Sequence, residues 1–252
     1  MGERTKISWA TSTWNPWYGC HKVSPGCAYC YMDRWAIRSG RDPEKVTRAK
    51  DSTFYAPLHW KESQIIFTCS LSDFFIEEAD QWRANAWKVI KDTPQHIYLI
   101  LTKRIQRRLF IPFPNVRLGI SVENQYWLNK RLPELFQISA AGYFISAEPL
   151  LGPLNFTEAI ADWWESNYKL EQIIVGGESG GPKYRRLVYE WQSSPGRLDP
   201  KPRALEWVHS IRDQCLGAGI NFFFKQWGGP RPESGGHLLD GREYQAMPWG
   251  DK

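Results

Sequence analysis

The chain has no apolar run near the roughly 20 residues that a membrane-spanning helix requires. Met1 to Trp17 has no apolar centre of the kind a secretion signal carries. These two absences predict a cytoplasmic protein, with no membrane among its partners. Blocks of like charge are also missing. The 32 Lys and Arg and 27 Asp and Glu are interspersed and leave a net charge of +5, which permits a polyanionic partner without pointing to one. No segment repeats, and no Pro- or Ser-rich linker is long enough to separate a second domain from a first. The expectation is one domain over residues 1–252, irregular from about 228, within the 200 to 250 residues, roughly, that α/β barrels occupy. Five cysteines without a secretion signal exclude a disulfide scaffold, so their clustering needs another cause.

What the sequence does contain is a recurring alternation. Apolar, β-branched runs at Gln64 to Cys69, His96 to Thr102, Val116 to Val122, Gly142 to Ala147, Gln172 to Gly176 and Asn221 to Lys225 read as buried strands. An initial strand is expected around Ile7 to Thr13. Helical spacing over Glu77 to Lys91, Asn124 to Phe136 and Pro202 to Leu216 separates several of them. The pattern predicts an α/β fold with parallel strands, a partial or nearly closed (β/α) barrel, with a doubly wound sheet as the alternative. Ser193 to Pro202 reads as a surface loop. The 14 tryptophans favour loop contexts, and most are expected to cap the core with the indole N–H on a carbonyl.

In parallel α/β folds functional groups collect where strands end. Thr68, Ser70 and Asp73, Thr102 and Lys103, Ser121 and Glu123, Ser146 and Glu148, Glu178 and Ser179, and Lys225 and Gln226 all fall at such ends. Many would simply cap helices. Glu148, ahead of Pro149, is expected at a strand end as a ribose ligand or proton acceptor. Lys225 and Arg185 can pair with a substrate carboxylate or phosphate, or with Glu148 or Glu178. Gly176 and Gly177 would let the backbone approach a ligand, and Glu178 would accept from an amine or hydroxyl.

The densest signal is Gly19-Cys20-His21-Lys22-Val23-Ser24-Pro25-Gly26-Cys27-Ala28-Tyr29-Cys30-Tyr31, three thiols on a Pro-Gly turn that opens into a helix. Three thiolates suit a [4Fe–4S] cluster with one iron open, whereas structural zinc wants a fourth ligand, for which His21 is the candidate. Cys69 and Cys215, in apolar or helical stretches, read as core residues.

This loop resembles that of the radical S-adenosylmethionine superfamily, in which three cysteines hold a [4Fe–4S] cluster and an aromatic residue precedes the third, as Tyr29 does. The spacing here is six residues then two instead of three then two. Trp14-Asn15-Pro16 with the cysteine loop, Ser146-Ala147-Glu148-Pro149-Leu150-Leu151-Gly152, Gly176-Gly177-Glu178-Ser179-Gly180, Arg212-Asp213-Gln214-Cys215 and Phe222-Phe223-Phe224-Lys225-Gln226-Trp227-Gly228 together make the chain similar to a phage-encoded three-cysteine-motif family, from Trp14 to Trp227. The resemblance implies metal ligation by Cys20, Cys27 and Cys30 and reductive cleavage of S-adenosylmethionine to a 5′-deoxyadenosyl radical, which abstracts a substrate hydrogen. It implies cofactor contacts from Tyr29, Ser70, Asp73, Ser121, Gly176, Gly177 and Glu178, with Ser70 and Asp73 facing the amino group, and catalytic roles for Glu148 and Lys225. It further implies a reductant protein such as flavodoxin or ferredoxin. The substrate would be a nucleobase, such as thymidine in phage DNA, isomerised or rearranged in an infected bacterial cytoplasm. Two other readings are a zinc-stabilised nucleic-acid-binding module on Cys20, His21, Cys27 and Cys30, and a metal-free hydrolase on Glu148 and Glu178.

Overall fold

The computed structural model describes residues 5–106, 113–157, 169–190, 196 and 198–250. Eleven strands are assigned among these residues, β1 (Ser12–Trp14), β2 (Trp17–Tyr18), β3 (Thr47–Arg48), β4 (Ile65–Thr68), β5 (Ile97–Thr102), β6 (Val116–Ser121), β7 (Tyr143–Ala147), β8 (Leu170–Gly176), β9 (Val188–Glu190), β10 (Leu198–Pro200) and β11 (Asn221–Gln226). The helices are α1 (Tyr31–Arg38), α2 (Asp51–Phe54), α3 (Asp80–Asp92), α4 (Gln125–Leu135) and α5 (Pro202–Gly217).

Seven strands make one sheet in the order β1-β4-β5-β6-β7-β8-β11. The β1/β4, β4/β5, β5/β6 and β8/β11 ladders are parallel. Within this sheet the strands follow one another in chain order. That is the order of a partial (β/α) barrel; a doubly wound sheet would reverse direction partway, so the alternative is set aside. Strands β4, β7 and β8 are buried along their whole length, which explains why they read as mainly apolar stretches rather than alternating ones. The initial strand is shorter than expected and confined to Ser12–Trp14. The segment expected as a loop before α5 falls partly outside the described residues, and its end, Leu198–Pro200, pairs with Val188–Glu190 as an antiparallel ladder.

The chain divides into two compact units, Met1–Ile120 with Pro133–Tyr143 and Trp249–Lys252, and Ser121–Leu132 with Phe144–Pro248. The core of the first is aromatic. Trp9 packs on Phe67 with ring centroids 4.4 Å apart, Trp14 meets Tyr98 edge-on at 5.7 Å, and Trp17 meets Phe74 at 5.2 Å. Trp14 and Trp17 donate their indole N–H groups to the carbonyls of Phe54 and Asp73 at 3.0 and 3.1 Å, so each ring is buried without orphaning its one polar atom. In the second unit Phe144, Ile173, Ile174, Val175, Phe223 and Phe224 of the strands and Val208, Ile211 and Cys215 of α5 are buried. Trp227 closes this core with its indole N–H on Leu238. No helix among the described residues is long and apolar enough to cross a membrane.

Candidate functional site

The cysteine loop begins where β1 ends. Asn15, fully buried, accepts the Leu71 N–H on Oδ1 at 2.8 Å and donates to Ser70 Oγ at 3.0 Å. Gly19 donates its N–H to Leu71, and Ser72 donates its hydroxyl to the Gly19 carbonyl at 2.6 Å. The Tyr31 hydroxyl donates to the Ser70 carbonyl. The first cysteine turn is thus fastened to the loop that follows β4. Gly19 is at φ +90°, and a Cβ there would be 2.5 Å from the Lys45 carbonyl oxygen, so only glycine allows the chain to pass.

From this anchor the loop presents Cys20, Cys27 and Cys30, each partly exposed and none in a disulfide. Cys27 lies in a turn closed by its N–H on Ser24, and Cys30 occupies the position before α1. Cys20 and Cys30 pack against Tyr18, Met32, Ala36, Ala49 and Leu71. Burial pushes the Cys20 thiol up to about 12, with the Asp73 charge adding to it and the Arg104 guanidinium opposing it. Burial likewise raises Cys30, against a hydrogen bond from the Met32 backbone and the positive charge of Lys103.

Among the described residues no three His, Cys, Asp or Glu side chains are gathered closely enough to hold a metal ion. The donor set nonetheless suits a cluster: three soft sulfur ligands on one loop, sharing each other's field and that of the cations Lys103 and Arg104. His21 turns to Glu78, pairing with it through Nε2. With Ile76, Glu77 and Arg104, these two line a cavity of about 430 Å³.

Several residues singled out in the sequence have other employment. Asp73 is buried and both its oxygens are taken, Oδ1 by the Phe75 N–H and the Thr102 hydroxyl at 3.0 and 2.7 Å, Oδ2 by the Lys103 N–H at 3.0 Å. It ties the loop after β4 to the end of β5, a different task from meeting an amino group. Ser70 is engaged with Asn15, while Tyr29 is exposed. Arg104, not singled out in the sequence, donates from Nη2 to the His21 carbonyl at 2.8 Å. Its only sequence signal is the Thr102-Lys103-Arg104 run at a strand end.

In the second unit, Lys225 Nζ lies 3.1 Å from Glu148 Oε1, and Arg185 forks onto Glu178 with bonds of 2.8 and 2.9 Å. Both cations expected as possible anion ligands are therefore spoken for by internal carboxylates. The glycines before Glu178 are explained the same way. A Cβ on Gly176 would be 2.2 Å from Glu148 Oε1, and one on Gly177 would be 2.1 Å from the Trp227 carbonyl oxygen. The close approach they permit is the protein's own. Ser121 is buried, and its carbonyl accepts Arg131 Nη1 at 2.7 Å. Glu123, expected at an open strand end, is instead fully buried, 2.9 Å from Arg131, whose side chain is buried as completely.

No curated protein and no solved structure matches the chain. Comparison with family models corrects the resemblance read from the five sequence blocks, for the model that matches the chain describes neither a radical S-adenosylmethionine family nor a phage three-cysteine family. Most of those blocks lie at strand ends, where glycines, Glu-Pro and aromatic runs serve packing, as Gly176, Gly177 and Trp227 do. The family model that does match covers residues 4–197 and 196–248, and the chain belongs to that family, described as a protein of unknown function (DUF5131).

Proposed function

We propose that Cys20, Cys27 and Cys30 hold a [4Fe–4S] cluster and that the chain is an enzyme using it on S-adenosylmethionine. The observation that carries this reading is the thiol loop itself, three cysteines fastened through Asn15, Gly19 and Ser72 to the end of β4, with His21 drawn away to Glu78. Three protein ligands leave one iron open. A cluster of that kind supplies, when bound, the electron that cleaves S-adenosylmethionine to a 5′-deoxyadenosyl radical.

The chain's own residues then have separable tasks. Asp73 and Asn15 hold the loop, Lys103 and Arg104 place positive charge beside the thiols, and Glu148 pairs with Lys225 at a strand end. Turnover would need a one-electron reductant of the flavodoxin or ferredoxin kind. The thymidine substrate expected from the sequence rested on the resemblance alone.

Anaerobic purification with iron and sulfide analysis tests the proposal, together with an electron paramagnetic resonance spectrum of the reduced protein. The expected result is a reduced-cluster signal that changes on adding S-adenosylmethionine, lost in Cys20→Ala, Cys27→Ala or Cys30→Ala and kept in His21→Ala. Stoichiometric zinc without iron after anaerobic reconstitution, lost in His21→Ala, would replace this reading with the zinc-bound module.

A further inference from the structure

Cations of the second unit that are partly or wholly buried are mostly matched: Arg131 by Glu123, Arg185 by Glu178, Arg212 by Asp213 and Asp240, Lys225 by Glu148. Around the start of α5 this matching stops. Among the described residues none of Lys183, Arg186, Lys201 and Arg203 has a carboxylate partner.

These four are held together by geometry. Lys201 is the residue just before α5; its N–H bonds the Leu187 carbonyl at 2.8 Å and its Nζ donates to the Lys183 carbonyl at 3.0 Å. Arg186 is fixed by its Nε on the Gly181 carbonyl at 2.8 Å, and the Arg203 guanidinium lies 5.0 Å from the Trp207 ring. The pairing of Val188 with Pro200 clamps the turn carrying Lys183 and Arg186 beside Lys201. Burial lowers the Lys201 pKa, and the charges of Arg203 and Arg186 lower it further. The like charges of Lys201, Arg203 and Arg186 have been brought within each other's field, against folding, with no carboxylate paired to them among the described residues. Tyr184, next to Lys183, is 78% exposed.

We infer that this patch binds the phosphodiester backbone of a nucleic acid, with Tyr184 stacking on a base. Several cations spread over a turn and a helix start suit a row of phosphates better than one small anion, and an exposed aromatic among them suits stacking. The inference stands apart from the cysteine loop, because the patch needs no cluster to be tested.

The test is fluorescence anisotropy of labelled single-stranded and duplex oligonucleotides with the full chain, between about 50 and 200 mM salt. Lys183→Gln/Arg203→Gln removes two exposed side chains for which no hydrogen bond is found among the described residues. We expect binding that weakens linearly in log–log form with salt. The double variant should bind about tenfold more weakly at the low-salt end, with a slope smaller by about two and a melting temperature no lower than that of the unaltered chain. Tyr184→Ala should weaken single-strand binding more than duplex binding. Three results would overturn the inference: no oligonucleotide binding by the unaltered chain, unchanged affinity and slope in the folded double variant, or binding seen only with inorganic phosphate or with phosphatidylserine vesicles.

Discussion

Glu123 and Arg131 meet with neither side chain reached by solvent, and the guanidinium also lies 4.1 Å over the Trp127 ring and donates to the Ser121 carbonyl. A buried pair of this kind adds little net stability, since two charges have been taken out of water, but removing one partner leaves the other stranded. Glu123→Gln should therefore destabilise the chain by about 3 kcal/mol in a urea titration. Replacing both residues by Met should recover most of that loss. Little of this was legible from residue types. Glu123 follows a strand and reads as a rim carboxylate, and nothing in the local sequence says that α4 will bring Arg131 against it. By contrast, Cys69 and Cys215 read as core residues and are buried, because a thiol in an apolar run is decided by its immediate neighbours.

At the scale of elements, the ends of β8 and β11 are joined through glycines. Gly176 and Gly177 are adjacent, yet their substitutions should differ. Alanine at 176 meets the tip of the Glu148 side chain, which can rotate away, so Gly176→Ala should cost only about 1 kcal/mol while breaking the Glu148–Lys225 pair. Alanine at 177 meets the Trp227 carbonyl and the Gly228 nitrogen, backbone atoms that cannot move without opening the β8/β11 ladder. Gly177→Ala should cost about 3 kcal/mol, read as a lowered urea midpoint. The seven sheet strands and the helices α3, α4 and α5 were legible to within a few residues, since apolar spacing marks them, whereas the four-residue α2 was not. The two-residue β2/β3 pair and the β9/β10 ladder were not. Tyr18, Thr47, Tyr189 and Asp199 carry no periodic signal, and their pairing is imposed by the loops they join.

For the whole molecule, His96 sets a pH dependence. It is fully buried, accepts the Gln64 N–H on Nδ1 at 3.2 Å and donates from Nε2 to the Pro57 carbonyl at 3.2 Å. Burial lowers its pKa below 6.5, with the Pro57 bond opposing. The unfolded chain then takes up a proton before the folded one does. Stability is full above pH 6.5 and falls as the pH drops below it, by at most about 1.4 kcal/mol per pH unit from this group. Urea midpoints measured between about pH 7 and pH 5 should decline, and His96→Gln, though less stable at neutrality, should decline less. An unchanged difference between the two proteins across that range would remove His96 as the cause.

The sequence by itself determined the class of fold, the succession of parallel strands and the loop carrying Cys20, Cys27 and Cys30. Each of these follows from local chemistry, namely the period of apolar residues, the turn propensity of Pro25-Gly26 and the crowding of three thiols into eleven residues. Only the tertiary structure decided which polar groups are left over for function. Asp73, Glu148, Glu178 and Glu123 look alike at strand ends, and each turned out to hold a partner from elsewhere in the chain, Thr102, Lys225, Arg185 and Arg131 respectively. The cluster of Lys183, Arg186, Lys201 and Arg203, without carboxylate partners among the described residues, emerged the same way. Pairing of charges depends on distance in space, which the fold sets and separation along the chain does not reveal.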